Sequence, residues 1–144
     1  MTRINSAINV KNLTDEHLLA EHREIKRLPN VHLKVKSKIP EHFVLGTGHV
    51  LFFTNKNIFT LKRYVEIHNE CIKRGFNVED YSNNWNVYKT FMDYIPTEIE
   101  KQLLIERITT RINESKKEYF HYYGKQISKE LAINILNNAS DYIF

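Results

Sequence analysis

Cysteine is almost absent from this chain, with Cys71 as its single representative, so no internal disulfide and no cysteine-based zinc site can form. A lone thiol reads as a buried, inert side chain rather than a nucleophile. Only three prolines and four glycines occur, and no Gly/Ser-rich or Pro-rich run divides the sequence. The 144 residues therefore read as one domain. Long apolar runs are missing too. The longest, 50–53, is far short of the roughly 20 residues that a membrane span requires, and no basic start followed by an apolar stretch marks a signal peptide. These absences predict a soluble, cytoplasmic protein with no membrane association. The histidines show no metal-ligand spacing such as HExxH, because His17 and His22 are five apart and diverge on a helix. A GTGH stretch at 46–49 lacks the Lys-Ser/Thr of a phosphate-binding loop. No metal or cofactor is expected.

What is present is enough apolar sequence for a core, 42% of residues, together with a net charge of +4 that favours a polyanionic partner. The positive charge is clustered: Arg23 and Arg27 crowd one segment, Arg107 and Arg111 another, and Lys125 follows a run of aromatics.

Three main helices are predicted, giving a compact all-α fold with long loops. Thr14 caps a helix over 15–27 whose Leu18, Ile25 and Leu28 repeat at helical spacing, with Pro29 closing it. A second spans 56–74, ended by Lys73, Arg74 and Gly75. Pro96, Thr97 and Glu100 form the capping box of a third, which reaches about residue 112. A short helical extension occupies 126–144. The segment 43–53 has strand propensity, but Gly46 and Gly48 interrupt it and no partner strand is evident, which favours an extended stretch packed on helices.

Several groups are candidates for chemistry. Met1 precedes a small residue, so its removal exposes the α-amine of Thr2. An α-amine with a pKa near 7.7–8.0 is roughly one-tenth neutral at pH 7, against well under a thousandth for an ordinary lysine. Glu24 lies between Arg23 and Arg27 on one helix face spanning roughly 100°. This is either an ordinary charged face or a carboxylate kept at a phosphate-binding surface to act on a cationic intermediate. His17, nearer the N-terminus of the same helix, either orients a substrate or is a satisfied histidine. The stretch YFHYYGK, containing Tyr119, Phe120, Tyr122, Tyr123, Gly124 and Lys125, suits stacking on bases with a lysine on phosphate, and equally suits a core. Arg107 and Arg111, four apart, point the same way from their helix as phosphate contacts do.

Six blocks in this order, MTRIN, LTDEHLLAEHRE, LGTGHVLFF, ECIKRGFN, DYIP and YYGK, resemble the pyrimidine-dimer DNA glycosylase family of phage-type endonuclease V. They are spread over 1–125. The resemblance implies a helical protein whose N-terminal segment threads between helices. Its substrate would be lesion-containing double-stranded DNA, bound as a monomer, and its chemistry a glycosylase step followed by AP lyase strand scission. It implies the Thr2 amine as nucleophile and Glu24 as catalytic carboxylate. Arg3, Arg23 and Arg27 become DNA contacts, His17 a substrate-pocket group, and 119–125 an aromatic DNA-contacting segment, with Arg107 and Arg111 beside it. The sequence departs from the best-known members in a shorter loop after Pro29, Tyr119 in place of Trp, and a longer tail. A non-catalytic helical DNA-binding module, or the same chemistry retargeted to another damaged base, are the competing readings.

Overall fold

A computed structural model describes residues 4–138. Thr2 and Arg3 lie outside the described residues, as does the tail beyond 138. Six α-helices follow one another: α1 (Asp15–Ile25), α2 (Leu28–Lys34), α3 (His49–Phe53), α4 (Asn57–Lys73), α5 (Glu98–Glu114) and α6 (Lys129–Asn138). Short 3₁₀ turns lie at Val10–Asn12 and Ser82–Val87. Between α5 and α6 runs a hairpin of β1 (Tyr119–Tyr122) and β2 (Lys125–Ser128), antiparallel, with Tyr119 opposite Ser128 and Tyr122 opposite Lys125. The expected all-α fold of three main helices is therefore overturned. The chain is mostly helical, with six α-helices and a two-stranded sheet among the described residues.

Each correction has a local cause. Pro29 does not simply stop the first helix. It occupies the first turn of α2, where its fixed φ fits and its missing N–H costs nothing. Helix α1 has already ended at Ile25, and Arg27 becomes the residue from which α2 starts. The stretch 43–53 coils into α3 after Gly48, whose φ of 89° turns the chain. There Phe52 and Phe53 pack edge-on against Phe43 and Tyr94, and packing outweighs strand propensity. The hairpin forms because Tyr123 (φ 52°) and Gly124 (φ 77°) make a two-residue turn with both residues left-handed. Asn-Gly is the usual signature of that turn, and a tyrosine conceals it.

The expected caps are present. The Thr14 hydroxyl accepts the His17 N–H at 3.1 Å, and Thr97 and Glu100 close a reciprocal box at the start of α5. Gly75 follows α4 with φ 88°.

Helices α1 and α4 pack together at the centre of the molecule. Tyr64, Ile67 and Cys71 of α4 and Leu18 and Ile25 of α1 belong to one core, which Leu104, Ile108 and Ile112 of α5, Phe120 and Ile127 of the hairpin and Ile135 of α6 share. Cys71 is buried there, and burial pushes its thiol up to about 11, so it stays protonated. The first described residues run through this assembly as a buried strap. Ile4, Ile8, Val10 and Leu13 all face the core, and the 3₁₀ turn lies against α4 and α6.

Candidate active site

A strap without regular structure must find partners for its backbone polar groups. Two buried arginines supply them. Arg63 donates from Nε and Nη2 to the two Glu21 oxygens, each at 2.9 Å, and its Nη1 donates to the Ile8 carbonyl. Arg74 donates to Asp15 at 2.9 Å and Glu70 at 2.8 Å, and to the Val10 and Leu13 carbonyls at 3.1 and 2.8 Å. Each guanidinium is thus neutralised by carboxylates and uses its remaining donors on the strap, which is how charge is accommodated in a core. Tyr122 adds a bond from its hydroxyl to the Lys11 carbonyl at 2.7 Å.

At the first described residue the partner is a histidine. His49 is fully buried; its Nδ1 lies 2.8 Å from the Val44 carbonyl, and its Nε2 accepts the Ile4 N–H at 3.2 Å. Nε2 also lies 3.1 Å from the Ile4 carbonyl; burial lowers the pKa, and the neutral ring with hydrogen on Nδ1 donates to Val44 and accepts from Ile4. Arg63, which bonds both Glu21 of α1 and the Ile8 carbonyl, ties the strap to α1 one helical turn before Glu24.

Glu24 occupies the end of α1. Its side chain is only 12% exposed, and Arg27, 61% exposed, approaches it at 3.4 Å. Arg23 is exposed on the same face. The Glu24 end of α1 therefore presents a sheltered carboxylate paired with one guanidinium group and flanked by the exposed Arg23.

The second cluster lies at the other end of α1, seven residues or about 10 Å along the axis from Glu24. His17 stacks on Phe120 at 5.7 Å. Burial lowers its pKa to about 4, and the positive charges of Arg111 and Lys117 add to that effect against the opposing pull of Glu16. Thr14 Oγ1 lies 2.7 Å from His17 Nδ1. The same hydroxyl accepts the His17 N–H, so it holds both the backbone and the ring of His17. His17 is thus neutral at physiological pH. Beside it the Glu16 carboxylate accepts from the His121 N–H and faces Nδ1 of the same residue, both at 2.9 Å. Burial raises the Glu16 pKa, and these bonds more than offset that rise.

The aromatic segment divides by side. Phe120 and Tyr122 are buried in the core, and Tyr123 donates to Glu70 at 2.6 Å with its ring against Arg74. Only Tyr119, Gly124 and Lys125 are exposed. Arg107 is exposed on α5, and Arg111, one turn later, is half-buried toward His17. Sequence reasoning passed over Asp15, Glu21, Arg63, Arg74 and His49, which organise the strap. Only His49 had a local signal, the glycines that flank Thr47 immediately before it.

The pyrimidine dimer DNA glycosylase family model matches residues 1–84, more than half of the 144-residue chain. The chain belongs to this family. Its membership makes it a DNA glycosylase acting on DNA. The matched span contains Thr2, Arg3, His17, Arg23, Glu24 and Arg27, and it contains His49. It ends before α5, so Arg107, Arg111 and the hairpin lie outside it. No helix among the described residues is long and apolar enough to cross a membrane.

Proposed function

We propose that this glycosylase excises cyclobutane pyrimidine dimers from duplex DNA by way of an imine on its own N-terminus, and then cleaves the strand as an AP lyase. The α-amine of Thr2, exposed by removal of Met1, attacks C1′ of the 5′ pyrimidine nucleotide of the dimer. The C1′–N bond breaks with its electrons leaving on the base, which takes up a proton. Ring opening and loss of the amine proton give the imine. That cation acidifies the C2′ proton, whose removal expels the 3′ phosphate by β-elimination, and water releases the sugar from Thr2. Glu24 stabilises the cationic intermediates and carries protons, because the charge that develops on the sugar is positive. Arg3, Arg23 and Arg27 hold phosphates around the distorted site. Arg107, Arg111 and the exposed Tyr119 and Lys125 extend the contact, and the neutral His17 lines the substrate pocket.

The observation that carries this reading is the fixed root of the N-terminal segment. Ile4 is buried, the strap that it begins is tied through Arg63 to Glu21 of α1, one turn from the sheltered Glu24, and two peptide units, no more than about 7.6 Å of chain, separate Ile4 from Thr2.

Borohydride reduction with an abasic duplex tests it. A covalent protein–DNA adduct whose mass maps to Thr2, in protein whose intact mass shows Met1 removed, is expected. No adduct, or an adduct on a lysine, overturns the assignment. A dimer-containing duplex cleaved no faster than one with another modified base would reassign the lesion.

A further inference from the structure

His49 joins the Ile4 peptide group, 45 residues before it, to the Val44 carbonyl, 5 residues before it, from the first turn of α3. The ring is enclosed. Phe43 and Phe53 meet it edge-on at 5.4 and 5.2 Å, and among the described residues the Glu21 carboxylate of α1, itself paired with Arg63, is the charged group that acts on it. Gly48 sets the ring's position: its φ of 89° starts α3, and a Cβ there would press on Pro40 Cγ at 3.3 Å. An apolar side chain of the same size would fill the cavity equally well. It would leave the Ile4 N–H without its acceptor at the point where the chain leads into the nucleophile.

We infer that His49 is a positioning residue for the N-terminal amine: by bonding the Ile4 peptide group it fixes the first described peptide of the strap and so sets the approach of the amine toward the Glu24 end of α1. The inference rests on the imine reading above. Its physical basis is that misplacement by about 1 Å costs on the order of 10²-fold in rate, whereas binding of duplex by peripheral arginines is insensitive to it. His49 itself touches neither DNA nor the reacting carbon in this assignment. The remaining strap bonds, from Arg63 to Ile8 and from Arg74 to Val10 and Leu13, hold the segment farther from its start and leave the Ile4 peptide to His49 alone among the described residues.

The experiment compares the wild-type chain with His49→Phe, His49→Asn and His49→Gln in single-turnover borohydride trapping on an abasic duplex, with duplex affinity measured in parallel. His49→Phe, which has no acceptor, and His49→Asn, whose amide stops at the former Nδ1 position short of Ile4, should trap about 10²-fold more slowly, with the final adduct yield of folded protein and the duplex affinity unchanged. His49→Gln, whose amide oxygen reaches the former Nε2 position, should recover most of the rate. If His49→Phe does not fold, His49→Asn carries the comparison. Wild-type rates in these variants, or a loss of yield with no loss of rate, would overturn the positioning role and leave the imine reading intact. Absence of trapping by the wild-type chain would sink both.

Discussion

Glu24 and His17 sit on one helix, yet their surroundings assign them different work. Glu24, sheltered but next to the exposed Arg23 and Arg27, is in the proposed mechanism the carboxylate that faces the cationic sugar. Removing that charge while keeping the shape, as Glu24→Gln does, should slow imine trapping by about 10²–10³-fold and leave duplex affinity unchanged or slightly tighter, since one repulsive charge is lost. Single-turnover kinetics beside an anisotropy titration will check both halves. His17 is instead held neutral. Its pKa in the folded protein, about 4, lies below the ordinary value of 6.5, so the unfolded chain takes up a proton first as pH falls. Stability should therefore be unaffected by His17 above pH 6.5 and decline between about 6.5 and 4, by about 3 kcal/mol in total. Urea unfolding across that range should show the decline, and His17→Asn should remove it. Arg111→Ala should move the His17 titration, followed by NMR, upward, because a repelling cation is gone.

At the level of elements, the hairpin and the strap depend on the same carboxylate. Asp15 accepts the N–H groups of Tyr123 and Gly124 at 3.0 and 2.8 Å and also pairs with Arg74. A tyrosine with φ 52° is strained, and these bonds together with the Tyr123–Glu70 bond offset the strain. Asp15→Ala leaves a buried guanidinium short of one partner and two turn amides without any, which should cost about 3–5 kcal/mol. Calorimetry should register the loss, and hydrogen exchange should find the Tyr123 and Gly124 amides deprotected first. An acidic residue in the first turn of a helix already has a sufficient local explanation in the helix dipole. Nothing in the sequence around Asp15 announces a contact 109 residues away.

For the whole molecule, the family-matched span is not a self-sufficient unit. Leu104, Ile108, Phe120 and Ile135 belong to the common core, and Asn12 donates to the Leu136 carbonyl at 3.2 Å. A fragment of residues 1–84 should accordingly lack a cooperative melting transition by circular dichroism, although it contains Thr2, Glu24 and His49. The later elements also carry positive charge toward the His17 end. Replacing Arg107 and Arg111 together by alanine should reduce the slope of log affinity against log salt by about 2 if both meet phosphate, with little change in the rate of trapping at saturating DNA. By itself the sequence determined the helix starts at Thr14 and Thr97, the stop at Gly75, the apolar stripes, the surplus of basic residues and the family, because caps, periodicity and short ordered blocks are written in neighbouring residues. Tertiary structure alone decided that YFHYYGK folds back as a hairpin with half its rings inward, that HVLFF coils into a helix, and that His49, Arg63 and Arg74 secure the N-terminal strap. Those outcomes depend on partners far away in the chain, and a buried hydrogen bond or ion pair acquires its energy only when folding has excluded water from both ends of it.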